Sequence, residues 1–257
     1  MKNKIGILCI AGSDCSSGAG VQADLKTVSS LGGYCAVSIT SITAQNKDKV
    51  YKILNLKSEI VIEQIKAVLD HLDIKAIKIG LVIDHLMSKK ISEYLIKREI
   101  PVVLDPVFVS SSGFKFQNIK RYKISQSYLS NCSSLLTPNL YEAEVLSGMK
   151  ITNSLVSLRK SLVKLNSKFN IPILIKGYCS NQNIVDLFYD GKILKKFSQK
   201  KINNLNFHGT GCALSSAISF YLGKGFNLVD SIKNARKYLK KILIRSISSG
   251  YKGYLDH

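Results

Sequence analysis

Short apolar runs alternate with longer segments of helical periodicity along almost the whole chain. Apolar runs of strand length occupy residues 4–10, 34–39, 76–79, 102–104, 134–136 and 173–175. Helical spacing of apolar residues fills most of the intervals, at 21–31, 59–72, 86–97, 119–129 and 156–169, with a shorter helical pattern ending at residue 146. Two further helices are predicted at 211–222 and 228–246. Strands that alternate with helices predict an α/β fold whose mostly parallel sheet is covered on both faces.

One stretch departs from this alternation. Residues 184–197 contain two β-rich runs separated by Asp190-Gly191, which is a hairpin signal and predicts an antiparallel edge on the sheet. In open α/β sheets, ligands bind at the carboxyl ends of the strands. The unusual polar clusters of this chain, at 12–20, 43–46, 105–113, 137–142, 176–177 and 208–212, all follow predicted strands or open a helix. This placement favours an enzyme.

Composition narrows the class of protein. The chain has 257 residues, 46% of them apolar, with only 4 prolines and no linker-like stretch, so we expect a single domain over residues 1–257. We find no apolar run long enough for a membrane helix, and residues 5–11 are better explained as a buried strand than as a signal peptide. The six cysteines show no C-x-x-C spacing, so neither zinc nor a disulfide framework is expected, and a cytoplasmic location is predicted.

The formal charge of +20 raises the question of nucleic-acid binding. Only five of the basic residues are arginines, and aromatic residues are not interleaved with the cations as in single-strand binding sites. The densest basic stretch, residues 233–245, has apolar residues at helical spacing, which indicates the solvated face of a packed helix. We therefore expect no specific nucleic-acid partner.

The sequence Gly209-Thr210-Gly211-Cys212 precedes an apolar helix. Unpaired N–H groups and the helix dipole at such a start stabilise an anion, so the segment is a candidate phosphate cradle; a plain helix start is the structural alternative. The same dipole would lower the pKa of the Cys212 thiol and make a thiolate available at neutral pH. The alternative for Cys212 is a small buried residue.

Two carboxylates and a lysine follow other strands. Asp105 and Glu142 could hold a hydrated Mg²⁺, which takes one or two carboxylates together with substrate phosphates. Asn139 and Glu142 also have the spacing of a capping box, and Asp105 could merely cap a turn. Lys176 ends a strand and is either a surface lysine or a cation for nucleotide phosphate.

Asp24 and Gln45 lie where the sheet would open to a ligand. A carboxylate and an amide suit the donor and acceptor edge of a polar heterocycle. The alternative for each is an exposed helix or loop residue.

Taken together, these motifs resemble those of the bacterial hydroxymethylpyrimidine/phosphomethylpyrimidine kinases of thiamine biosynthesis, which belong to the ribokinase-like superfamily. The motifs span nearly the whole chain, and their joint occurrence is far more specific than any one of them. They are A-G-S-D-C-S-S-G-A-G-V-Q-A-D at 11–24, T-A-Q-N at 43–46, K-I-G-L at 78–81, D-P-V at 105–107, T-P-N-L-Y-E-A-E at 137–144 and H-G-T-G-C at 208–212.

The resemblance implies a three-layer αβα sandwich that uses ATP and Mg²⁺ to phosphorylate 4-amino-5-hydroxymethyl-2-methylpyrimidine and then its monophosphate. It also implies relatives that are often homodimers. The pyrimidine would be held by Gln45, Asp24 and backbone near Gly12, between Leu81 and Val107. The ATP phosphates would be held by Lys176 and the loop of Gly209, Thr210 and Gly211, with Asp105, Glu142 and Asn139 at the metal. Cys212 would be the catalytic base, supported by Gly209 and Gly211.

The chain departs from the family pattern at four positions. Leu81 for the usual Met nearly conserves volume and should matter little. Cys15 stands where the family usually has Pro, and Ser17 where it usually has Gly. Ser111 stands where a Lys is common in the segment 105–113, which we call the flap. These last three changes put the path of the first loop and one phosphate contact in doubt. Two alternatives stay open: a pyridoxine or pyridoxal kinase on the same scaffold, and a non-catalytic basic binding protein.

Overall fold

A computed structural model describes residues 4–152, 154–202, 207–250 and 252–257. The strands are β1 (Gly6–Asp14), β2 (Tyr34–Gln45), β3 (Val50–Asn55), β4 (Ile74–Ile79), β5 (Val102–Leu104), β6 (Leu135–Leu136), β7 (Ile173–Ser180), β8 (Asn183–Tyr189) and β9 (Leu194–Lys200). The helices are α1 (Gly20–Ser30), α2 (Ser58–Leu69), α3 (His85–Leu95), α4 (Ile119–Ser130), α5 (Leu140–Ser147), α6 (Leu155–Phe169), α7 (Thr210–Gly223) and α8 (Leu228–Ile247).

The described strands form one sheet of order β3-β2-β1-β4-β5-β6-β7-β8-β9. Its centre, from β2 to β7, is parallel, whereas β3, β8 and β9 pair antiparallel with their neighbours. The predicted fold class, with its hairpin edge at β8 and β9, is confirmed. The sequence reasoning missed β3 at the other edge of the sheet, a short strand whose mostly apolar residues are largely exposed.

Helices cover both faces of the sheet. On one face, α7 packs against α1 and α8; on the other, α2 packs against α3, α3 against α4 and α5 against α6. Buried aliphatic side chains of the central strands point alternately into the two helical layers, which produces the three-layer sandwich. Among the described residues, no helix combines the length and the apolar character needed to cross a bilayer.

The first two strands run further than their apolar cores predict. β1 continues to Asp14 after an irregularity between Ala11 and Ser13, and β2 continues to Gln45. Both extensions lie at the carboxyl edge of the sheet. They carry Gly12 and Gln45 to the edge at which the other polar clusters also end.

Candidate active site

A cavity of about 800 Å³ opens at the carboxyl edge of the sheet. Its walls come from the ends of β1, β2, β4, β5 and β7, the loop after β5 and the start of α7. Twelve of the thirteen site residues predicted from the sequence line this one cavity; they are Gly12, Gln45, Leu81, Asp105, Val107, Asn139, Glu142, Lys176, Gly209, Thr210, Gly211 and Cys212. Sequence positions spread over two hundred residues therefore meet in one place.

Asp24 is the exception among the predicted site residues, because it does not line the cavity. The carboxylate is fully buried on α1 and lies outside the cavity wall. Both of its oxygens accept hydrogen bonds from Lys78 Nζ, at 2.9 and 2.8 Å, and Oδ1 also accepts one from Ser216 Oγ at 2.7 Å. The carboxylate is turned toward these partners inside the protein, so it is not available to a ligand.

The start of α7 forms a cradle of backbone. Gly209 is the N-cap residue with φ +85°, a left-handed conformation, and no side chain caps the helix. A Cβ atom at Gly209 would overlap the carbonyl oxygen of Gly18 in the first loop, so the close approach of the two loops requires glycine. The N–H groups of the first turn of α7 are thus free to bind an anion in the cavity.

Lys176 lies beside this helix start. A Cβ atom built on Gly211 would be 3.3 Å from Lys176 Nζ, which donates to Asp105 Oδ1 at 2.5 Å. Ser215 Oγ donates to the other oxygen of Asp105 at 3.1 Å. Burial opposes ionisation of Asp105, but the charges of Lys176 and Lys78 and these hydrogen bonds hold its pKa below the usual value. A positive charge and an oriented helix start therefore meet at one end of the cavity.

Cys212 occupies the first turn of α7, but its thiol is not the resting thiolate that the helix dipole predicts. Burial raises the pKa of the Cys212 thiol to about 11. The charge of Lys78 acts in the opposite direction, whereas the carboxylates of Asp24 and Asp105 raise the pKa further. Burial therefore leaves the thiol protonated at neutral pH.

Glu142 lies at the start of α5, where its spacing from Asn139 has the structural role that it predicts. It forms the predicted capping box with Asn139, and its Oε1 also accepts a hydrogen bond from the Phe108 N–H at 3.2 Å. Burial raises the pKa of Glu142 to about 7. Within the described chain, Glu142 has no ion-pair partner, and it faces the cavity close to the charge of Lys176. Its donor chemistry fits Mg²⁺, whereas Asp105 already has Lys176 as its cationic partner.

A second region of the cavity wall includes the ends of β1 and β2. Gly12, Leu81, Val107 and Gln45 line it. A side chain at Gly12 would come within 2.8 Å of Ser41 Oγ and 3.2 Å of Leu81 Cδ2, so glycine leaves backbone exposed to a flat ligand. The thiol of Cys15, which replaces the usual Pro, lies 3.3 Å from the backbone oxygen of Gln45. The backbone of Gln45 thus contacts the first loop.

The sequence reasoning missed a bridge of three side chains beside this region. His208 Nε2 is 2.9 Å from Asp14 Oδ2, and His208 Nδ1 is 2.8 Å from Ser111 Oγ. The bridge joins the first loop, the flap after β5 and the segment before α7. Its partners are 194 and 97 residues apart, so no local pattern could have indicated it.

The C-terminal segment closes the same rim. The His208 N–H donates to the Gly253 carbonyl at 2.8 Å, and the Lys47 N–H donates to Tyr254 Oη at 3.2 Å. Residues near position 254 therefore brace both the segment before α7 and the turn after β2.

A third region of the cavity, on the α8 side, has apolar walls formed by Ile202, Phe207, Leu214, Leu239 and Leu243. Arg236 is 7% exposed there and pairs with Asp186, while its Nη2 has no hydrogen-bond partner within the described chain. Arg236 thus departs from the predicted solvated face of this helix, although the lysines of residues 233–241 are exposed as expected. An apolar slot with one buried donor suits a nucleobase and its sugar.

Comparisons with known proteins agree with this geometry. The phosphomethylpyrimidine kinase family profile matches residues 14–255. The hydroxymethylpyrimidine/phosphomethylpyrimidine kinase of Rhizobium meliloti is 38% identical over 233 residues, covering 90% of this chain and 88% of that protein. The chain spans about half the length of the bifunctional thiamine biosynthetic enzymes of Arabidopsis and rice that it also matches.

Solved structures give two similar folds. The phosphomethylpyrimidine kinase of Clostridium difficile superposes with a TM-score of 0.81 at 33% identity, covering 93% of this chain and all of that one. The pyridoxal kinase of Staphylococcus aureus, bound to AMP-PCP and pyridoxal, superposes with a TM-score of 0.86 at 28% identity, covering 99% of this chain and 93% of that one.

Proposed function

Because the chain belongs to the phosphomethylpyrimidine kinase family, we propose that it transfers the γ-phosphoryl group of ATP to hydroxymethylpyrimidine and then to the resulting monophosphate. One observation carries the proposal. The phosphate cradle of α7, Gln45 and Cys212 all line a single cavity. A phosphoryl donor and a small acceptor bound there would meet at the start of α7.

The donor nucleotide would occupy the α7 and α8 side of the cavity. The open N–H groups after Gly209 and the ammonium of Lys176 suit the phosphates. The apolar slot next to Arg236 suits the base and the ribose. A solved pyridoxal kinase of this fold is described with AMP-PCP bound, which supports use of ATP.

The acceptor would occupy the part of the cavity that is lined by Gln45, Leu81 and Val107. Gln45 offers an amide donor and acceptor for an aminopyrimidine, and Leu81 and Val107 would enclose the ring. Asp24 has no direct contact to offer, because Lys78 and Ser216 occupy its oxygens. Recognition therefore rests on one amide, exposed backbone near Gly12 and the shape of the pocket.

The two transfers make different demands on the chain. In the first, a hydroxyl must lose a proton, and Cys212 is the side chain at the helix start that could accept it once its own thiol has ionised. In the second, the acceptor is a phosphate oxygen that is already ionised, so the chain needs only to position it and to balance charge. Lys176 and the first turn of α7 supply both.

Mg²⁺, when bound, would neutralise phosphate charge beside Glu142. Glu142 is suited to this role because its buried carboxylate lines the cavity. Within the described chain it forms no ion pair, so the oxygen lone pairs that are not used in the capping box or by the Phe108 N–H are available to a cation. Asn139 fixes its orientation through the capping box. Asp105, paired with Lys176, orients that lysine toward the helix start.

Phosphorylation of pyridoxal is the second candidate, favoured by the close superposition on a pyridoxal kinase. The test is ATP-dependent phosphorylation of hydroxymethylpyrimidine, its monophosphate and pyridoxal by the purified protein, with and without Mg²⁺. We expect the pyrimidine diphosphate to form only with Mg²⁺. Phosphorylation of pyridoxal alone would move the assignment to vitamin B6, and no transfer to any acceptor would overturn the kinase proposal.

A further inference from the structure

Two buried lysine–aspartate pairs lie beneath the first turns of α7. Lys176 binds Asp105, and Lys78 binds Asp24. Each aspartate also accepts a hydrogen bond from a serine of α7, Ser215 for Asp105 and Ser216 for Asp24. The first pair belongs to the phosphate end of the site, but the second has no role in the function proposed above.

The Lys78–Asp24 pair is unusual because of its burial. Both side chains have 0% exposure, yet Lys78 lines the same cavity as Cys212. A buried ion pair is a poor source of stability, since the loss of hydration offsets most of the attraction. The side chains of β4 and α1 could have met here through apolar packing, so the pair calls for a different physical reason.

We propose that Lys78 and Asp24 act together as positioning residues that set how easily Cys212 loses its proton, Lys78 favouring the thiolate and Asp24 opposing it. The inference rests on the proposed function, in which Cys212 accepts the proton of the hydroxyl. Ser216 lies one helical turn after Cys212 on α7, and its hydrogen bond to Asp24 fixes the pair against this helix.

The groups that face the thiol come from several elements. Lys78 on β4 is the cation whose charge lowers the pKa of the thiol most, and the Gly20 N–H at the start of α1 acts in the same direction. Asp24 on α1 and Asp105 after β5 act in the opposite direction. Asp105 is itself paired with Lys176 on β7, and Lys78 is the cation with the largest effect on the thiol.

Lys78 remains charged in this setting. Burial alone would lower the pKa of its ammonium, but the carboxylates of Asp24 and Asp105 raise it well above its ordinary value. Lys78 is therefore a permanent cation. Burial raises the pKa of Asp24, and in its ionised form this carboxylate reduces the effect of the cation. Removing each member should change the ionisation of Cys212 in opposite directions.

The experiment measures the rate at which iodoacetamide alkylates Cys212 between pH 7 and 9, read by peptide mass spectrometry. Cys179, which is exposed, provides the reference rate in the same molecules. Lys78→Met should slow alkylation of Cys212 at least about tenfold, and Asp24→Asn should accelerate it by a similar factor, because a neighbouring charge changes a pKa by about one unit or more. The double variant Lys78→Met/Asp24→Asn should return the rate toward that of the parent.

Opposite changes in the two single variants would support the proposal. A purely structural role would loosen the cavity and accelerate alkylation in both, and that result, or a change below threefold in both, would overturn it. If Lys78→Met does not fold, Asp24→Asn and the double variant decide: the first must be faster than the parent, and the second must reverse the gain. Alkylation needs neither ATP nor acceptor, so a protein without kinase activity would refute the proposed function and leave this test intact.

Discussion

Replacing Cys212 by alanine should separate the two phosphoryl transfers. The change removes a thiol from the first turn of α7, where alanine is compatible with the helix. A positioned base contributes about 10²- to 10⁴-fold to a step in which a hydroxyl loses a proton. We therefore expect Cys212→Ala to slow phosphorylation of hydroxymethylpyrimidine by this factor and to slow phosphorylation of its monophosphate less than about threefold, since that acceptor is already ionised.

The raised pKa of the thiol adds a second signature. With a pKa of about 11, the neutral thiol predominates throughout the working range. The thiolate fraction at pH 7 is then about one in 10⁴, and it rises about tenfold with each pH unit up to the pKa. The first transfer in the parent protein should accelerate accordingly between pH 7 and 9. The second transfer, and the first transfer in Cys212→Ala, should lack this slope.

Single-turnover transfer from radiolabelled ATP, started separately with the pyrimidine and with its monophosphate, measures each step alone. Cys132→Ala is the matched control, because burial raises the pKa of that thiol to about 11 as well, and Cys132 lies outside the active-site cavity. Equal losses in both transfers of Cys212→Ala would refute the assignment of Cys212 as base. A tenfold pH slope that persists in Cys212→Ala would refute it independently.

Three further predictions concern the loops around the cavity. Gly209→Ala should lower the melting temperature and raise KM for ATP, because it adds left-handed strain of about 1–3 kcal/mol and a steric overlap. Gly225 has φ +90° with open space around it, so the control Gly225→Ala should add the strain only and leave KM unchanged. The Mg²⁺ concentration for half-maximal rate should rise about tenfold as the pH falls from 8 to 6, because Glu142, with a pKa of about 7, becomes protonated and loses its charge. Glu142→Gln should abolish this pH dependence. If the pH dependence persists in that variant, the metal binds elsewhere. Ser111→Ala removes the hydrogen bond to His208, which is worth about 0.5–1.5 kcal/mol. KM for the pyrimidine should therefore rise about two- to tenfold, with kcat little changed. An unchanged KM would show that the bridge does not hold the flap.

The parts of the site that could be predicted from the sequence share a topological cause. In a parallel sheet, every strand delivers its carboxyl end to the same edge, so polar residues after apolar runs must converge. Gln45, Asp105 and Lys176 were found in this way. The capping box of Asn139 and Glu142 was equally readable, because it depends on residues only three positions apart.

The errors have a different cause. The partner of Asp24 is Lys78, 54 residues away. The sequence therefore showed that a carboxylate is present, but it did not show that a buried lysine binds it inside the protein. For Cys212, the helix start was visible in the sequence, but the degree of enclosure, which raises the pKa of the thiol, was not. Both errors concern electrostatics in the interior, where the effect of a charge depends on neighbours that only the tertiary structure brings together.

The bracing of the active-site rim by residues 253 and 254 has a consequence for the order of events during protein synthesis. Asp14, at the end of β1, is synthesised well before Gly253, yet the two are joined through His208. The sheet can form from its earlier strands while the rim still lacks its last support. Catalytic competence should thus appear later in translation than the core, so that a nascent chain acquires its fold before it acquires a closed binding site.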